Sequence, residues 1–319
     1  MAFDLETLAI DPDAARQYID ARSAFVALER SQKSALQVRG GMVWKTVKGT
    51  DYLIRTSTTG GQKSLGRRSA ETEAMHGRFI AQKQAVTERL NGLKAAVAKH
   101  ARLNRALRVG RMPNIALAIL ARLAQAGLDE YFRVVGTYAL YAYEAAAGVR
   151  FASEITSTRD IDLLWDTRKR VTFAHKLAQD APSMLAALQK VDKTFVLNEE
   201  QKYTAVNKDG FEVDILRRIA QEEDPHPIRL SDALDDFWVV QAKRADELVN
   251  APEFSEIVVA ENGALARMTT IHPAVFVSFK RWMSQQSDRD PLKRRRDALQ
   301  ADAVEWALHE RLPHLLPDK

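Results

Sequence analysis

The stretch that decides the fold opens with Val134-Val135-Gly136-Thr137 and closes with Thr158-Arg159-Asp160-Ile161-Asp162-Leu163-Leu164. An apolar run stops at a Gly–Thr pair, a segment typical of a helix follows, and the closing run has the composition of a strand. Side chains alternate between the two faces of a strand, so Asp160 and Asp162 project from one face. Two carboxylates this close repel each other, and a divalent metal ion is the usual partner that offsets the repulsion.

The Gly–Thr pair marks the point where the first apolar run ends and the helical segment begins. Gly136 permits a tight turn and a close approach of the backbone to a ligand. The first N–H groups of a helix that starts at Thr137 attract phosphates. Many strand-to-helix turns carry Gly-Thr only for capping, so the pair alone is weak evidence for a nucleotide site.

A second acidic strand follows at Phe211-Glu212-Val213-Asp214-Ile215-Leu216. Asp214 lies deep in the apolar run and is the better candidate for a third metal ligand. Glu212 shares its face and is expected to be solvated or ion-paired at a hairpin. For the first acidic pair, Arg159 is an alternative partner to a metal ion. Three carboxylates on neighbouring strands that face a helix N-terminus predict a two-metal site for phosphoryl transfer.

These motifs resemble the signature of the DNA-polymerase-β-like nucleotidyltransferase superfamily. The resemblance implies a mixed-sheet catalytic core flanked by helices, with Mg²⁺ or Mn²⁺ as the cofactor. It implies that Asp160 and Asp162 bind both metal ions. Asp214 would hold the catalytic ion and help to activate the acceptor hydroxyl. Gly136 and Thr137 would contact the phosphates of the nucleotide.

This chain departs from the superfamily pattern in two ways. Thr137 stands where Ser is commoner, although the hydroxyl is kept. The spacer between Thr137 and Asp160 contains 22 residues, which is longer than usual. We expect the extra length to form a loop around Gly148–Ser157.

Two C-terminal segments add to the resemblance. His272–Trp282 reads as a helix with proline in its first turn, and a basic helix follows that ends in Asp297-Ala298-Leu299-Gln300-Ala301. Bacterial nucleotidyltransferase-like proteins have similar helices, which implies that Lys280 faces the triphosphate and makes Lys293 a weaker candidate. The alternative is that Lys280 only extends past an apolar stripe. Arg294–Arg296 either binds acceptor phosphates or is a solvated surface.

Composition limits the class of protein. The chain has 319 residues, 46% of them hydrophobic and 28% charged, as in soluble globular proteins. It has no cysteine, which excludes disulfides, thiolate metal sites and cysteine nucleophiles. No apolar run approaches the ~20 residues of a membrane span. The acidic start, Met1–Glu6, lacks a signal-peptide core, so we expect a cytoplasmic protein without a membrane partner.

Charge is distributed unevenly along the chain. Residues 39–110 contain 15 Lys and Arg but four Asp and Glu, so this segment carries +11 while the whole chain carries +5. Such a segment either attracts a polyanion or is a solvated helical surface.

The pattern of elements predicts an α+β fold in three parts. A basic helix–hairpin–helix region at 1–110 contains a helix over 12–38, strands at 42–47 and 52–56, and a long helix from an N-cap at Ser69 to about residue 108. A mixed-sheet nucleotidyltransferase core is expected at 111–225. A helical C-terminal domain is expected at 226–319, after an acidic, proline-containing stretch.

Together these features predict a Mg²⁺-dependent nucleotidyltransferase that moves an NMP from an NTP to a hydroxyl group and releases pyrophosphate. The acceptor could be an RNA 3′ end, a protein side chain or a small molecule, and the basic segment slightly favours a nucleic acid. Two alternatives stay open: a non-catalytic nucleic-acid- or protein-binding module on the same scaffold, and a toxin-like nucleotidyltransferase. The sequence does not indicate an oligomeric state.

Overall fold

Helices and strands alternate along the chain, which confirms the predicted α+β class. The structure, a computed structural model, describes residues 8–221 and 223–316. The helices in these ranges are α1 (Pro12–Ala35), α2 (Ala70–Ala106), α3 (Asn114–Ala126), α4 (Ala139–Ala147), α5 (Ser153–Thr156), α6 (Arg170–Asp180), α7 (Met184–Gln189), α8 (Ala245–Asn250), α9 (Pro273–Ser284) and α10 (Pro291–Glu310). The strands are β1 (Leu8–Ala9), β2 (Gly41–Val47), β3 (Thr50–Thr56), β4 (Gln62–Arg67), β5 (Phe132–Val135), β6 (Val149–Arg150), β7 (Asp160–Trp165), β8 (Val196–Leu197), β9 (Thr204–Val206), β10 (Glu212–Arg217), β11 (Val240–Gln241), β12 (Glu253–Val259) and β13 (Leu265–Ile271).

A mixed sheet forms the centre of the larger of two compact units, which comprises residues 108–316 with residues 8–15. Within the described chain its strand order is β12-β13-β5-β7-β10-β9-β8, and β11 also pairs with β10. β7 is antiparallel to β5 and parallel to β10. The two acidic strands predicted from the sequence are therefore direct neighbours.

Helices cover both faces of this sheet. Successive side chains along its strands point to opposite faces and join two different apolar clusters. One cluster takes Ile161, Leu163, Val213 and Ile215 from β7 and β10 and packs them against apolar residues of α3, α6 and α7. The other takes Leu164 and packs it against α4, α9 and α10. Asp160 and Asp162 share the face of Leu164, so the acidic side chains lie beside the layer of α4, α9 and α10.

Most elements around the acidic strands agree with the sequence. The sequence pattern predicts helices at 113–127, 273–286 and 291–310 and strands at 131–135, 160–165 and 211–216. Helices α3, α9 and α10 and strands β5, β7 and β10 lie within two residues of these bounds. The sequence Lys208-Asp209-Gly210 predicts a hairpin turn between strands at 203–206 and 211–216. The β9–β10 hairpin is present there, and Gly210 in its turn has a φ of +74°. Such a positive φ favours glycine.

Residues 16–107 form the second compact unit. Ser69 caps α2 as predicted, because its side chain accepts a hydrogen bond from the Thr72 N–H. The predicted two-stranded hairpin is wrong in one respect: β4 adds a third antiparallel strand beside β3. The sequence of β4, Gln62-Lys63-Ser64-Leu65-Gly66-Arg67, has one large apolar residue and thus almost no alternating pattern.

The C-terminal region is less helical than predicted. Residues 253–271 form the antiparallel hairpin of β12 and β13, and β13 joins the central sheet beside β5. The sequence pattern predicts a helix near 231–250, but in this range only Ala245–Asn250 is α-helical. The hairpin has recognisable signals in Ile257-Val258-Val259 and in the turn glycine Gly263, whose φ is +84°.

Two further expectations concern the spacer and the termini. The predicted loop at Gly148–Ser157 instead contains β6, which pairs with β1, and the short helix α5. No helix in the described ranges has the length and apolar composition to cross a membrane. The expectation about Met1–Glu6 lies outside the described residues. The domain boundaries expected after residues 110 and 225 stay predictions.

Candidate active site

Three carboxylates converge on one face of the central sheet. The parallel register of β7 and β10 places Asp214 opposite Asp162 and Glu212 opposite Asp160. One oxygen from each of Asp160, Asp162 and Asp214 lies within 4.8 Å of the others, and all three side chains are partly exposed. Glu212 stands outside this group. The structure thus brings together the three acids that the sequence singled out.

Gly136 lies against this acidic group. Val135, the last residue of β5, pairs with Asp162 in the antiparallel ladder, so the chain turns beside that carboxylate. Gly136 has a φ of +67°, and a Cβ at this position would overlap Asp162 Oδ2. Glycine is therefore required twice, by the backbone conformation and by the approach of the carboxylate.

Thr137 follows in a short 3₁₀ turn, Gly136–Tyr138, that leads into α4. Its hydroxyl oxygen accepts a hydrogen bond of 3.1 Å from Gln300 Nε2, which also donates to the Ile155 carbonyl at 2.7 Å. Since Gln300 is the donor, the hydroxyl proton of Thr137 stays available for an acceptor such as a phosphate oxygen.

Electrostatic repulsion is strong at the centre of the group. Burial raises the pKa of Asp162 to about 7, and the neighbouring Asp160 and Asp214 carboxylates add to the effect. Burial also raises the pKa of Asp214, against the lowering effect of its hydrogen bond to Thr204. An acidic group in which Asp162 and Asp214 resist ionisation fits a site for a cation, and carboxylate oxygens are the ligands that Mg²⁺ prefers.

Two threonines fix the outer carboxylates. Thr158 Oγ1 donates to Asp160 Oδ1, and Thr204 Oγ1 donates to Asp214 Oδ1 at 2.5 Å. Thr204 pairs with Asp214 in the β9–β10 ladder. Sequence reasoning missed both residues, although the predicted hairpin turn at Lys208–Gly210 sets the register that brings Thr204 to Asp214.

Comparison with known protein families decides the class of the protein. A family described as nucleotidyltransferase matches residues 114–319, which contain every predicted site residue. This chain belongs to that nucleotidyltransferase family. It is therefore a transferase of phosphorus-containing groups, and the family implies a nucleoside triphosphate as substrate. No curated protein and no solved structure matched the chain.

Lys280 of this nucleotidyltransferase lies in a buried ion pair. Its Nζ contacts Asp297 Oδ1 at 2.8 Å, and Arg289 Nε binds the other oxygen of Asp297. Burial lowers the pKa of Lys280, and Asp297 opposes that effect. The charge of Lys280 also acts on Asp162, whose pKa it lowers. The structure therefore places Lys280 near the acidic group, but with a partner that the sequence did not reveal.

Helix α10 supplies two polar contacts that sequence reasoning missed. Asp297 and Gln300 are three residues apart and share one face of the helix, where both are buried. Asp297 holds Lys280, and Gln300 holds Thr137. The sequence contained a signal, since the Asp-x-x-Gln pattern was recognised, but its contacts depend on how α10 packs against α5 and α9.

The other cations of α10 considered from the sequence are more exposed than the Lys280–Asp297 pair. Lys293 is exposed, and its charge lowers the pKa of Asp214. Arg296 Nη1 donates to the Ser157 carbonyl at 3.4 Å, whereas Arg295 is exposed. Lys293 is thus the cation of the predicted basic run that acts on the acidic group.

Proposed function

We propose that this nucleotidyltransferase moves an NMP from an NTP to a hydroxyl acceptor, with release of pyrophosphate, by a two-metal mechanism of the DNA-polymerase-β-like type. The observation that carries the proposal is the convergence of the Asp160, Asp162 and Asp214 carboxylates beside Gly136. Family membership supports nucleotidyl transfer as the general reaction.

The donor set fits divalent metal ions such as Mg²⁺ or Mn²⁺. Asp160, Asp162 and Asp214 offer only oxygen ligands, and the raised pKa of Asp162 reflects burial and repulsion by the other two carboxylates, which a bound cation would relieve. In this proposal Asp160 and Asp162 hold both ions, and Asp214 holds the catalytic one. When bound, the ions neutralise the triphosphate and acidify the attacking hydroxyl.

The protein itself contributes binding and orientation. The backbone turn at Gly136 and the hydroxyl of Thr137 bind phosphate oxygens of the NTP, with the Thr137 proton donated outward because Gln300 occupies its oxygen. Thr204 fixes one oxygen of Asp214, which leaves the other carboxylate oxygen to face the acceptor hydroxyl. In this proposal the acceptor hydroxyl gives its proton to that free oxygen of Asp214, and the acceptor oxygen bonds to the α-phosphorus as the bond to pyrophosphate breaks.

The two lysines contribute positive charge in different ways. Lys280 is held by Asp297 close enough to act on Asp162, so it offsets negative charge on the triphosphate side of the group. Lys293 is exposed and acts on Asp214, so it is the weaker candidate for contact with the nucleotide. Both roles follow from the family resemblance together with these positions.

Transfer of label from an NTP labelled at the α-phosphate tests the proposal. The purified chain is incubated with each of the four NTPs, Mg²⁺ or Mn²⁺, and either bulk RNA or bulk protein. We expect label transfer by the wild type and by Asp209→Asn, an exposed acid in the β9–β10 turn. The Asp160→Asn/Asp162→Asn variant should lose transfer. Equal transfer by that variant would show that the reacting site lies elsewhere.

A thermal-shift screen first identifies which NTPs the protein binds. An NTP that binds the native state raises its apparent melting temperature. We expect one or more NTPs to do so with Mg²⁺, and the shift to vanish in the Asp160→Asn/Asp162→Asn variant.

A further inference from the structure

The unit of residues 16–107 carries a large excess of positive charge. It contains 18 Lys and Arg but six Asp and Glu, a net charge of +12. The nucleotidyltransferase match begins at residue 114 and does not account for this unit. A charge excess of this size attracts polyanions, and the arrangement of the side chains shows which kind fits.

The C-terminal half of α2 contains basic residues and no acidic ones. Residues 89–106 contain no acid, and their five cations, all exposed, are Arg89, Lys94, Lys99, Arg102 and Arg105. At 1.5 Å per residue they extend over about 24 Å of helix. Such a run of charge is often only solvated, so the sheet provides the second, independent observation.

One face of the three-stranded sheet presents an aromatic ring between two cations. Tyr52 on β3 pairs with Lys45 on β2 and with Arg67 on β4, so the three side chains form one row across the sheet. Lys45 and Arg67 are exposed, and Tyr52 is partly exposed. In the described part of the chain, neither Lys45 nor Arg67 has an ion-pair partner.

The described strand residues on this face of the sheet include no acid. The strand residues that share it are Val43, Lys45, Val47, Thr50, Tyr52, Ile54, Thr56, Gln62, Ser64 and Arg67, as the described register shows. The single acid of the strands, Asp51, projects from the other face, where it accepts hydrogen bonds from Thr46 and Arg68. The cations of the row are therefore free to bind phosphates.

We propose that the Lys45–Tyr52–Arg67 row binds single-stranded nucleic acid. Helix α2 packs against the opposite face of the sheet, so its basic half contributes long-range electrostatic attraction and not a contact in this row. The two cations suit successive phosphates, and the ring offers a surface on which an unpaired base can stack. A duplex cannot use the ring in this way because its bases are already stacked inside the helix. Binding does not require the transfer reaction, so the two proposals stand independently.

Fluorescence anisotropy with the full chain tests this surface. The probes are labelled 12-mers of uridine and of thymidine and a duplex of the same length. We expect both single strands to bind more tightly than the duplex, with affinity falling as salt rises. The two single strands then show whether RNA or DNA is preferred.

Charge-neutral variants measure the contribution of the two cations. Lys45→Gln/Arg67→Gln should weaken binding about tenfold at low salt. Loss of two phosphate contacts should reduce the slope of log K against log salt by about 1.4. The matched control is Arg170→Gln/Lys193→Gln, which removes two exposed cations of the other unit and should bind like the wild type.

Two tyrosine variants isolate stacking. Tyr52→Leu should weaken single-strand binding about fivefold or more with little change in the salt slope, whereas Tyr52→Phe should retain it. The proposal is overturned if Lys45→Gln/Arg67→Gln binds single strands like the wild type, if Tyr52→Leu does, or if the duplex binds as tightly as the single strands.

The two proposals fail in different ways. Lys45→Gln/Arg67→Gln should keep the thermal shift with NTP and Mg²⁺. Its far-ultraviolet circular dichroism spectrum should match that of the wild type, which shows that the unit of residues 16–107 is also folded. Asp160→Asn/Asp162→Asn should keep single-strand binding. If this second variant loses oligonucleotide binding while it stays folded, the nucleic acid is bound at the acidic group and the proposal for the N-terminal unit is wrong.

Discussion

Replacing Asp162 with asparagine is expected to stabilise the metal-free protein. Burial, together with the Asp160 and Asp214 carboxylates, raises the pKa of Asp162 to about 7, while Lys280 and Arg289 act in the opposite direction. Ionising this side chain in the native state is therefore unfavourable near neutral pH. Asparagine has almost the same shape and no charge, so it removes the repulsion and, in the proposed mechanism, the metal ligand as well.

The magnitude follows from the gap between the ordinary pKa of Asp162, 3.8, and its native value of about 7. One pH unit corresponds to about 1.36 kcal/mol, so the full destabilisation is ~4 kcal/mol well above pH 7. Between these two pKa values the native protein keeps a proton that the unfolded chain has lost. The contribution of Asp162 to the free energy of unfolding therefore falls as pH rises through this window, by about 2 to 3 kcal/mol from pH 5 to pH 8.

Urea unfolding in EDTA at pH 5 and pH 8 measures this difference. Asp162→Asn should gain about 2 to 3 kcal/mol relative to the wild type between the two pH values. The control Asp209→Asn should follow the wild type. If Asp162→Asn is no more stable than the wild type at pH 8, or if its advantage does not change with pH, the acidic group is not under the repulsion argued here.

Three further substitutions test separate contacts. Gly136→Ala should reduce label transfer about 100-fold or more, at a cost of about 1–2 kcal/mol in stability, because its Cβ overlaps the Asp162 carboxylate at a positive φ; activity near wild type would contradict the geometry. Lys280→Met should lower the free energy of unfolding, measured in urea, by about 3 kcal/mol, because the buried Asp297 carboxylate is left with one cation. The control Arg281→Met breaks ion pairs at the surface and should lower it by less than about 1 kcal/mol. Equal losses would argue against the buried pair. Thr204→Val should lower kcat about tenfold, because the third carboxylate loses its hydrogen bond, and Thr204→Ser should restore it; an unchanged kcat in Thr204→Val would rule out this orienting role.

The acidic group could be predicted because its determinants are local. Alternation along a strand puts Asp160 and Asp162 on one face, and the same rule identifies Asp214. Gly136 was recognisable because a strand-to-helix turn often needs glycine. The sequence predicted that the acidic strands are neighbours but not their register, in which Asp214 lies opposite Asp162 and the acids come to within a few ångströms of one another.

The contacts around the acidic group could not be predicted because they depend on tertiary packing. Asp297 and Gln300 are recognisable as a pattern, but their partners, Lys280 and Thr137, lie 17 and 163 residues away. Strand β4 and the hairpin of β12 and β13 were missed for different reasons. Strand β4 has almost no alternation of apolar and polar residues. The hairpin of β12 and β13 was missed because the segments before and after it were predicted to be helical, and the region between them was not assigned to strands.

The number of Mn²⁺ ions bound with a non-hydrolysable NTP analogue, measured by electron paramagnetic resonance, tests the central claim most directly. The wild type and Asp209→Asn should each bind about two ions tightly. The variant with asparagine at Asp160, Asp162 and Asp214 should bind none at comparable concentration. If it binds as many ions as the wild type, the three carboxylates do not form the metal site.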